Sequence, residues 1–232
     1  MSRTVDRTIQ ASASGAVTEE LIVVNAPQSA AAEAYRSLRS NIKFAQSERP
    51  IRSVLIADAG TAGQHPAVAA NLAAALALGG DTAILVDADL RRPALHVLLG
   101  ATQTPGLVEH ILAPDLAATP QFQATTVANL RILPAGDTSR LSGAVTPADL
   151  ITSDQCGLVL ERLRGDCEFI VVNAPPLTEC ADALGLAAHV DGVILLIRAR
   201  KTRRQDAQRA KEQLDRVGAH ILGVVLTDSP SR

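Results

Sequence analysis

Two carboxylates at alternate positions, Asp87 and Asp89, could carry chemistry in this 232-residue sequence. They follow the apolar run 84–86 within the segment ILVDADLRRP. Side chains alternate along a strand, so both carboxylates are expected to point into one crevice at the carboxyl end of that strand. Two facing carboxylates suit a hydrated magnesium ion or a general base, and both residues are therefore candidate catalytic and metal-binding groups. The alternative is that they cap the helix after Pro93, which explains one aspartate better than two.

A glycine-containing loop, ADAGTAGQHP at 57–66, is the second candidate site. It lies between a predicted strand and a predicted helix, where α/β proteins hold phosphate on free backbone N–H groups. The pattern G-x-x-x-x-G-K-[ST] needs a lysine followed by a hydroxyl, but Gln64, His65 and Pro66 stand at those positions, and Pro66 also removes one N–H donor. The residues predicted to form the nucleotide site are Gly60, Thr61, Ala62, Gly63, Gln64 and His65.

The missing lysine weakens the expected binding of ATP and Mg²⁺. A charge-assisted hydrogen bond contributes roughly 1.5 to 3 kcal/mol, so its loss lowers nucleotide affinity by about one to two orders of magnitude. Either Gln64 or His65 occupies the lysine position. Protonated His65 is the candidate replacement cation.

The elements that must position these residues alternate between strand and helix. This alternation predicts an α/β fold with a doubly wound, mostly parallel sheet and helices on both faces. Residues 21–24 are predicted to form a short edge strand, and residues 114–147 to form long surface loops around one strand. The main strands are predicted over 53–57, 82–86, 130–134, 169–173, 192–198 and 220–227, and the helices over 29–45, 66–78, 155–164, 182–188 and 202–217.

Composition limits the classes of function. Hydrophobic residues make up 47% and aromatic residues 2% of the sequence, so the core must be built from Ala, Val, Leu and Ile. A formal charge of −2 gives no overall attraction to nucleic acid or anionic lipid, and any such binding would have to be local. Three widely spaced cysteines indicate neither a disulfide scaffold nor a zinc site.

The domain organisation is predicted as a disordered tail over 1–18, an N-terminal arm with a helix over 19–50, and one main domain over 51–232. The first residues lack the apolar stretch of a signal peptide, and no run reaches roughly 18 apolar residues. We therefore expect a cytoplasmic protein without direct membrane insertion, which a partner would recruit to the inner face of the membrane.

Three segments, in order, resemble the cytoplasmic ATPase domain of the bacterial tyrosine kinases of capsule and exopolysaccharide synthesis. The segment 84–93 resembles the family's variant second Walker motif, and FIVVNAPPL at 169–177 resembles its Walker B strand. Glu33, Arg36 and Arg39 resemble the E-x-x-R-x-x-R helix of subunit contact, although an ordinary solvated helix face with i,i+3 ion pairs would look similar.

This resemblance covers about residues 27 to 227. It implies a P-loop NTPase fold of the deviant-Walker, partition-ATPase-like type over residues 51–232. It also implies nucleotide contact by Arg91 and a metal set of Asp87, Asp89 and the residue at 173. Arg198, Lys201, Thr202, Arg203 and Arg204 resemble the basic segment that precedes the last helix of the family.

The departures from the family fall on its catalytic positions. Asn173 stands where the Walker B strand has an aspartate, and a neutral amide cannot orient a magnesium-bound water as a carboxylate does. Tyr35 is the only tyrosine in the 232 residues, so we expect no phosphorylation of a tyrosine-rich tail of this chain.

Three hypotheses follow. The first is a pseudokinase that regulates or assembles, as a homo-oligomer or with an active paralogue, by docking on a membrane polysaccharide co-polymerase. The second is an active ATP-dependent tyrosine kinase or ATPase that holds Mg-nucleotide through Asp87 and Asp89. The third is a relative of the partition or septum-positioning ATPases, against which the Arg-Arg-Pro sequence and the N-terminal E-x-x-R-x-x-R speak. We expect no nucleic acid partner, because the overall charge of −2 gives no general attraction to it.

Overall fold

The computed structural model describes residues 18–45, 50–60, 66–113, 120–141, 145–178 and 182–228. Within these ranges the chain forms one seven-stranded sheet in the order β3-β4-β2-β5-β1-β6-β7. All strand pairs are parallel except β3 with β4, which is antiparallel. The strands are β1 Ser53–Asp58, β2 Ala83–Asp87, β3 Gln123–Ala124, β4 Leu130–Leu133, β5 Phe169–Asn173, β6 Gly192–Arg198 and β7 Ile221–Thr227.

The helices lie on both faces of this sheet. Strand β1 shows the division, since Val54 and Ile56 pack into one apolar core while Leu55 and Ala57 pack into the other. The first core is completed by α1 Ile22–Asn25, α2 Ala30–Ala45, α3 Pro66–Leu78 and α4 Leu95–Leu98. The second is completed by α5 Leu107–Leu112, α6 Pro147–Ile151, α7 Asp154–Leu163, α8 Asp182–Ala187 and α9 Arg204–Arg216. The predicted fold class, a doubly wound and mostly parallel α/β sheet, is confirmed.

The N-terminal arm is fastened to α3. This helix is apolar on all sides because the sheet covers one face and α2 covers another. Buried Asn71 of α3 accepts a hydrogen bond from Val23 N at 3.0 Å and donates to Glu20 O at 2.8 Å. Arg39 of α2 donates to Ala75 O in the last turn of α3 at 2.9 Å. Polar side chains therefore fix the arm on an otherwise apolar surface.

The prediction of an edge strand over residues 21–24 is wrong, because Ile22–Asn25 form α1. Leu21 and Val23 are buried, and the bond from Val23 N to Asn71 replaces a strand partner. Four apolar residues are too few for their periodicity to distinguish a strand from a helical turn. Residues 1–17 of the predicted disordered tail lie outside the described residues. The last residue of that tail, Thr18, donates a hydrogen bond from its N–H to Leu98 O at 3.2 Å. Within the described ranges, no helix combines the length and apolar character needed to cross a bilayer.

At the amino edge of the sheet, Asp191 joins three elements. Its Oδ2 accepts hydrogen bonds from Arg52 N and Ser53 N at 2.8 Å each, and from Nη1 of Arg164 at 2.9 Å. Burial opposes ionisation of this carboxyl group, but the hydrogen bonds prevail and lower the pKa of Asp191 to about 2. The start of β1, the end of α7 and the start of β6 are therefore held by one carboxylate.

We predict that Asp191→Asn lowers the free energy of unfolding by about 2 to 3 kcal/mol at pH 7, since it removes a charged acceptor from several donors. The pKa is depressed in the folded state, so the carboxylate stabilises the fold above its ordinary pKa and loses this effect as the pH falls through about 2. Urea unfolding should show the deficit at pH 7 and little of it near the folded pKa.

The matched control is Glu161→Gln, which removes only an exposed ion pair to Arg164 and is expected to cost less than about 0.5 kcal/mol. If Asp191→Asn lowers the free energy of unfolding by the same amount at neutral and acid pH, the ionised carboxylate of Asp191 does not stabilise the fold as predicted.

Candidate functional site

The candidate site lies at the carboxyl ends of three adjacent strands. Strand β5 is inserted between β2 and β1, so Asp87 and Asn173 are paired across β2 and β5. Asn173 is also paired with Ile56, two residues before Asp58 at the end of β1. In open α/β sheets a crevice forms where the connections that leave adjacent strands go to opposite faces of the sheet. The carboxyl ends of β2, β5 and β1 lie at such a point. The structure thus brings Asp87 and Asn173 together, as the sequence predicts.

Asp87 is fully buried and bonded at both carboxylate oxygens. Oδ1 accepts a hydrogen bond from Nδ2 of Asn173 at 3.1 Å, and Oδ2 accepts from the backbone N–H groups of Ala94 and Leu95 at 3.0 Å each. Burial raises the pKa of Asp87 to about 6, although these hydrogen bonds act in the opposite direction. Asp87 therefore holds the turn that begins α4. This is the role expected if an aspartate caps the helix after Pro93.

Asp89 is also fully buried, and it orders the residues that follow it. Its Oδ1 accepts hydrogen bonds from Arg91 N at 3.2 Å and Arg92 N at 3.0 Å, while its own N–H lies 3.4 Å from Oδ1 of Asp87. The sequence D-x-D-L-R-R-P thus folds into a closed turn in which both carboxylates bind the backbone of their own loop.

Arg91 is anchored by a residue that the sequence analysis did not assign to the site. Nε of Arg91 donates to Oδ2 of Asp182 at 3.1 Å, and Nη2 lies 3.4 Å from Oδ1. The side chain of Asp182 is 2% exposed and that of Arg91 is 43% exposed. The only available signal for Asp182 is its place at the start of the helix after β5, on the same edge of the sheet.

Asp58 was missed as well. Its Oδ1 accepts a hydrogen bond from Gly60 N at 2.7 Å and so shapes the start of the loop after β1. As the last residue of β1 it occupies the position that Asp87 occupies in β2, and this is the signal that could have found it. Gly60 also lies against the turn after β6, since a Cβ added there would be 3.1 Å from Oγ1 of Thr202.

The rest of the predicted phosphate loop lies outside the described residues. Of the six residues predicted for it, Gly60 alone is described. Their role in nucleotide binding, and that of Arg91, stay predictions. The five that lie outside are Thr61, Ala62, Gly63, Gln64 and His65.

The described residues of the site do not fit a magnesium ion as they stand. Magnesium takes oxygen ligands in an octahedron and usually binds one or two carboxylates. Here both carboxylate oxygens of Asp87 and Oδ1 of Asp89 accept hydrogen bonds from the protein. The third residue of the predicted metal set, Asn173, presents an amide. Among the described residues, no group of three His, Cys, Asp or Glu side chains could hold a metal ion. A metal at this point would compete with hydrogen bonds that already hold the buried carboxylates.

The predicted subunit-contact residues have partners within the chain. Arg36 forms an ion pair with Glu33 at 2.7 Å and donates to Pro27 O at 2.9 Å. The guanidinium of Arg39 lies against Gly79, and a side chain at that position would require Arg39 to shift. The i,i+3 pair is what an ordinary helix face would also show, so the role of these residues in subunit contact stays a prediction.

No model of a protein family matches the chain. Comparisons with individual proteins do find similar sequences, and two of them are tyrosine-protein kinases by name. The putative tyrosine-protein kinase CapB of Staphylococcus aureus is 30% identical over 210 residues, which cover 90% of each chain. The tyrosine-protein kinase YwqD of Bacillus subtilis is 31% identical over 206 residues, which cover 89% of this chain and 84% of YwqD.

Solved structures agree with these relatives. The crystal structure of the chimerical protein CapA2B2 matches with a TM-score of 0.82 at 28% identity, and the match covers 92% of each chain. The septum site-determining protein MinD of Pyrococcus horikoshii, solved with Mg-ADP, matches with a TM-score of 0.58 at 26% identity over 75% of this chain and 69% of MinD.

We predict that Arg91 and Asp182 are coupled by about 1 to 2 kcal/mol in a double-mutant cycle of Arg91→Ala and Asp182→Ala, measured by urea unfolding. The bond joins a buried carboxylate to a partly exposed guanidinium, so the coupling should exceed that of a surface pair. The control cycle is Lys211→Ala with Asp215→Ala, an exposed i,i+4 pair at 2.6 Å, for which about 0.3 to 0.5 kcal/mol is expected. Equal coupling in the two cycles would contradict an anchoring role for Asp182.

Proposed function

Because the chain belongs to the bacterial tyrosine kinase family of capsule and exopolysaccharide synthesis, we propose that it is a pseudokinase of that family. Its sheet is that of the P-loop NTPases, as the sequence predicts. In this proposal the chain regulates or assembles a polysaccharide-synthesis complex and does not transfer phosphate.

The hydrogen bond between Asn173 and Asp87 carries this proposal. A carboxylate at position 173 would face the fully buried Asp87, and two buried like charges need a cation or a shared proton between them. The amide instead donates a hydrogen bond to Oδ1, so Asp87 is satisfied by donors of the protein. A buried carboxylate that is satisfied in this way supports a protein without metal-dependent chemistry.

The sequence of the phosphate loop supports the same conclusion independently. Gln64, His65 and Pro66 stand where the lysine and the hydroxyl residue are expected, and α3 begins at Pro66, which has no N–H to offer to a phosphate. These losses lie on a different strand connection from Asn173. Two independent parts of a nucleotide site are therefore altered while the sheet around them is intact.

The assembly part of the proposal rests on the helix α2. Glu33 is 64% exposed and Arg36 is 37% exposed, so their ion pair is accessible for a second subunit. We propose that this face mediates self-association or mixing with an active paralogue. The partner that recruits the assembly to the membrane would be a polysaccharide co-polymerase, as the family resemblance implies.

An active nucleotide-dependent kinase or ATPase is the second candidate. It is favoured by the grouping of Asp87, Asp89 and the half-exposed Arg91 at one crevice. A partition or septum-positioning ATPase receives less support, since the likeness to MinD has a TM-score of 0.58 and that to CapA2B2 has one of 0.82.

Calorimetric titration of the full chain with ATP and ADP, with and without magnesium, separates the two candidates. We expect no magnesium-dependent binding up to about millimolar nucleotide, because the lysine and one carboxylate are missing. Micromolar binding that requires magnesium and is lost in Asp87→Ala would refute the pseudokinase, and phosphorylation of a partner's tyrosine-rich tail would then be the next assay.

We also predict that Asn173→Asp lowers the melting temperature in the absence of metal by about 3 to 10 °C, because the new carboxylate faces Asp87 without a donor between them. Millimolar magnesium should recover part of this loss in the variant and leave the wild-type chain unchanged.

The matched control is Asn71→Asp, which places the same substitution at a buried hydrogen-bonded asparagine remote from the site. Thermal unfolding with and without magnesium should show a loss there that the metal does not repair. Equal recovery of both variants by magnesium would speak against a special role for position 173.

A further inference from the structure

The turn between β6 and α9 carries the densest positive charge of the chain. Residues 198–204 contain five cations and no acid. Arg198 is largely buried, with its side chain 13% exposed, and it pairs with Asp228 at 3.0 Å. The other four, which we call the basic turn, are all exposed, and only Lys201 shares Asp228, at 3.4 Å. The basic turn consists of Arg200, Lys201, Arg203 and Arg204.

The backbone of the basic turn is fixed. Arg198 O accepts hydrogen bonds from Lys201 N at 3.2 Å and Thr202 N at 3.0 Å, and Arg198 N donates to Oγ1 of Thr202 at 2.9 Å. Arg200 has a φ of 63°, a left-handed conformation that is uncommon for a residue with a side chain. The cations are thus presented outward on a closed turn, so less conformational entropy is lost when they meet an anion.

In the chain by itself, the position of these cations destabilises helix α9. Helix α9 has 13 residues and begins at Arg204, and Arg203 precedes it without a side-chain capping bond. The N-terminus of a helix carries partial positive charge and favours acidic residues or a capping hydroxyl. Cations at this end oppose the helix dipole, and Asp206, the one acid of the first turn of α9, offsets this in part; an external anion would relieve the remainder. The helix dipole and the four side chains therefore attract the same kind of ligand.

Exposed apolar side chains lie next to the basic turn. Strand β7 is an edge of the sheet, and its Val224 and Leu226 are 57% and 56% exposed. Leu226 is paired with Ile197, directly before the segment that carries the cations. Cations beside exposed aliphatic groups are typical of surfaces that lie at a membrane interface.

We propose that the basic turn is a peripheral docking surface for anionic lipid headgroups. The charge complementarity is local, because the whole chain carries a formal charge of −2. A protruding turn flanked by aliphatic groups fits a flat, negatively charged surface with an apolar interior. This contact requires neither nucleotide binding nor the pseudokinase assignment, so its failure would leave both open.

The test is cosedimentation of the full chain with vesicles of phosphatidylserine and phosphatidylcholine, compared with vesicles of phosphatidylcholine alone. We expect binding to the anionic vesicles only, and its loss as the salt concentration rises well above about 0.1 M. In the double variant Arg200→Gln with Arg203→Gln, each missing cation should weaken partitioning about fivefold, which gives about 25-fold in total.

The matched control is Arg216→Glu, which removes the same two units of charge at the other end of α9, about 18 Å away. It should bind anionic vesicles within about twofold of the wild-type chain, since contacts farther than a Debye length are screened. The proposal is overturned by absence of binding to anionic vesicles, by equal binding to neutral vesicles or by an equal loss in the control. Tighter binding to duplex DNA at the same salt concentration would overturn it in favour of nucleic acid.

Discussion

The fold depends on one constraint: β5 must fit between β2 and β1, with its last residue facing a buried carboxylate. Parallel register places Asn173 beside Asp87, and both side chains are excluded from water. A buried carboxylate needs donors, and Asp87 receives one from β5 and two from the turn that begins α4. The central strands and the segment after β2 are therefore joined by a single acidic side chain.

This constraint separates the charges of the carboxyl edge into two layers. The aspartates of the site, Asp58, Asp87, Asp89 and Asp182, are buried. The arginines that follow β2 and β6 are exposed, and Arg91 reaches back to Asp182 from the surface. The outer layer of this edge is consequently cationic, although the chain as a whole is weakly acidic. The carboxylates of Asp87, Asp89 and Asp182 are held by hydrogen bonds within the protein, so the cations of the outer layer are the groups that can meet external anions.

The sequence was informative where periodicity and strand ends decide the structure. The segments 169–173 and 192–198 form strands with the predicted bounds, and the family resemblance implied that Asp87 and Asn173 lie together. Distant contacts outside the motifs of that resemblance could not be predicted. Arg91 and Asp182 are 91 positions apart, and Arg39 bonds a backbone carbonyl of α3. The strand β3 has only two residues and no periodicity of its own, and it exists because β4 offers it an edge.

The two proposed surfaces can work together because the sheet separates them. Helix α2 packs into the core on one face, whereas α9 packs into the core on the other. A subunit that contacts α2 therefore would not cover the basic turn, which lies at the carboxyl edge before α9. If several copies associate through α2, their basic turns meet an anionic surface together, and weak contacts add as in other multivalent systems. Under the proposed function, a chain without phosphotransfer would then contribute to an assembly through its surfaces.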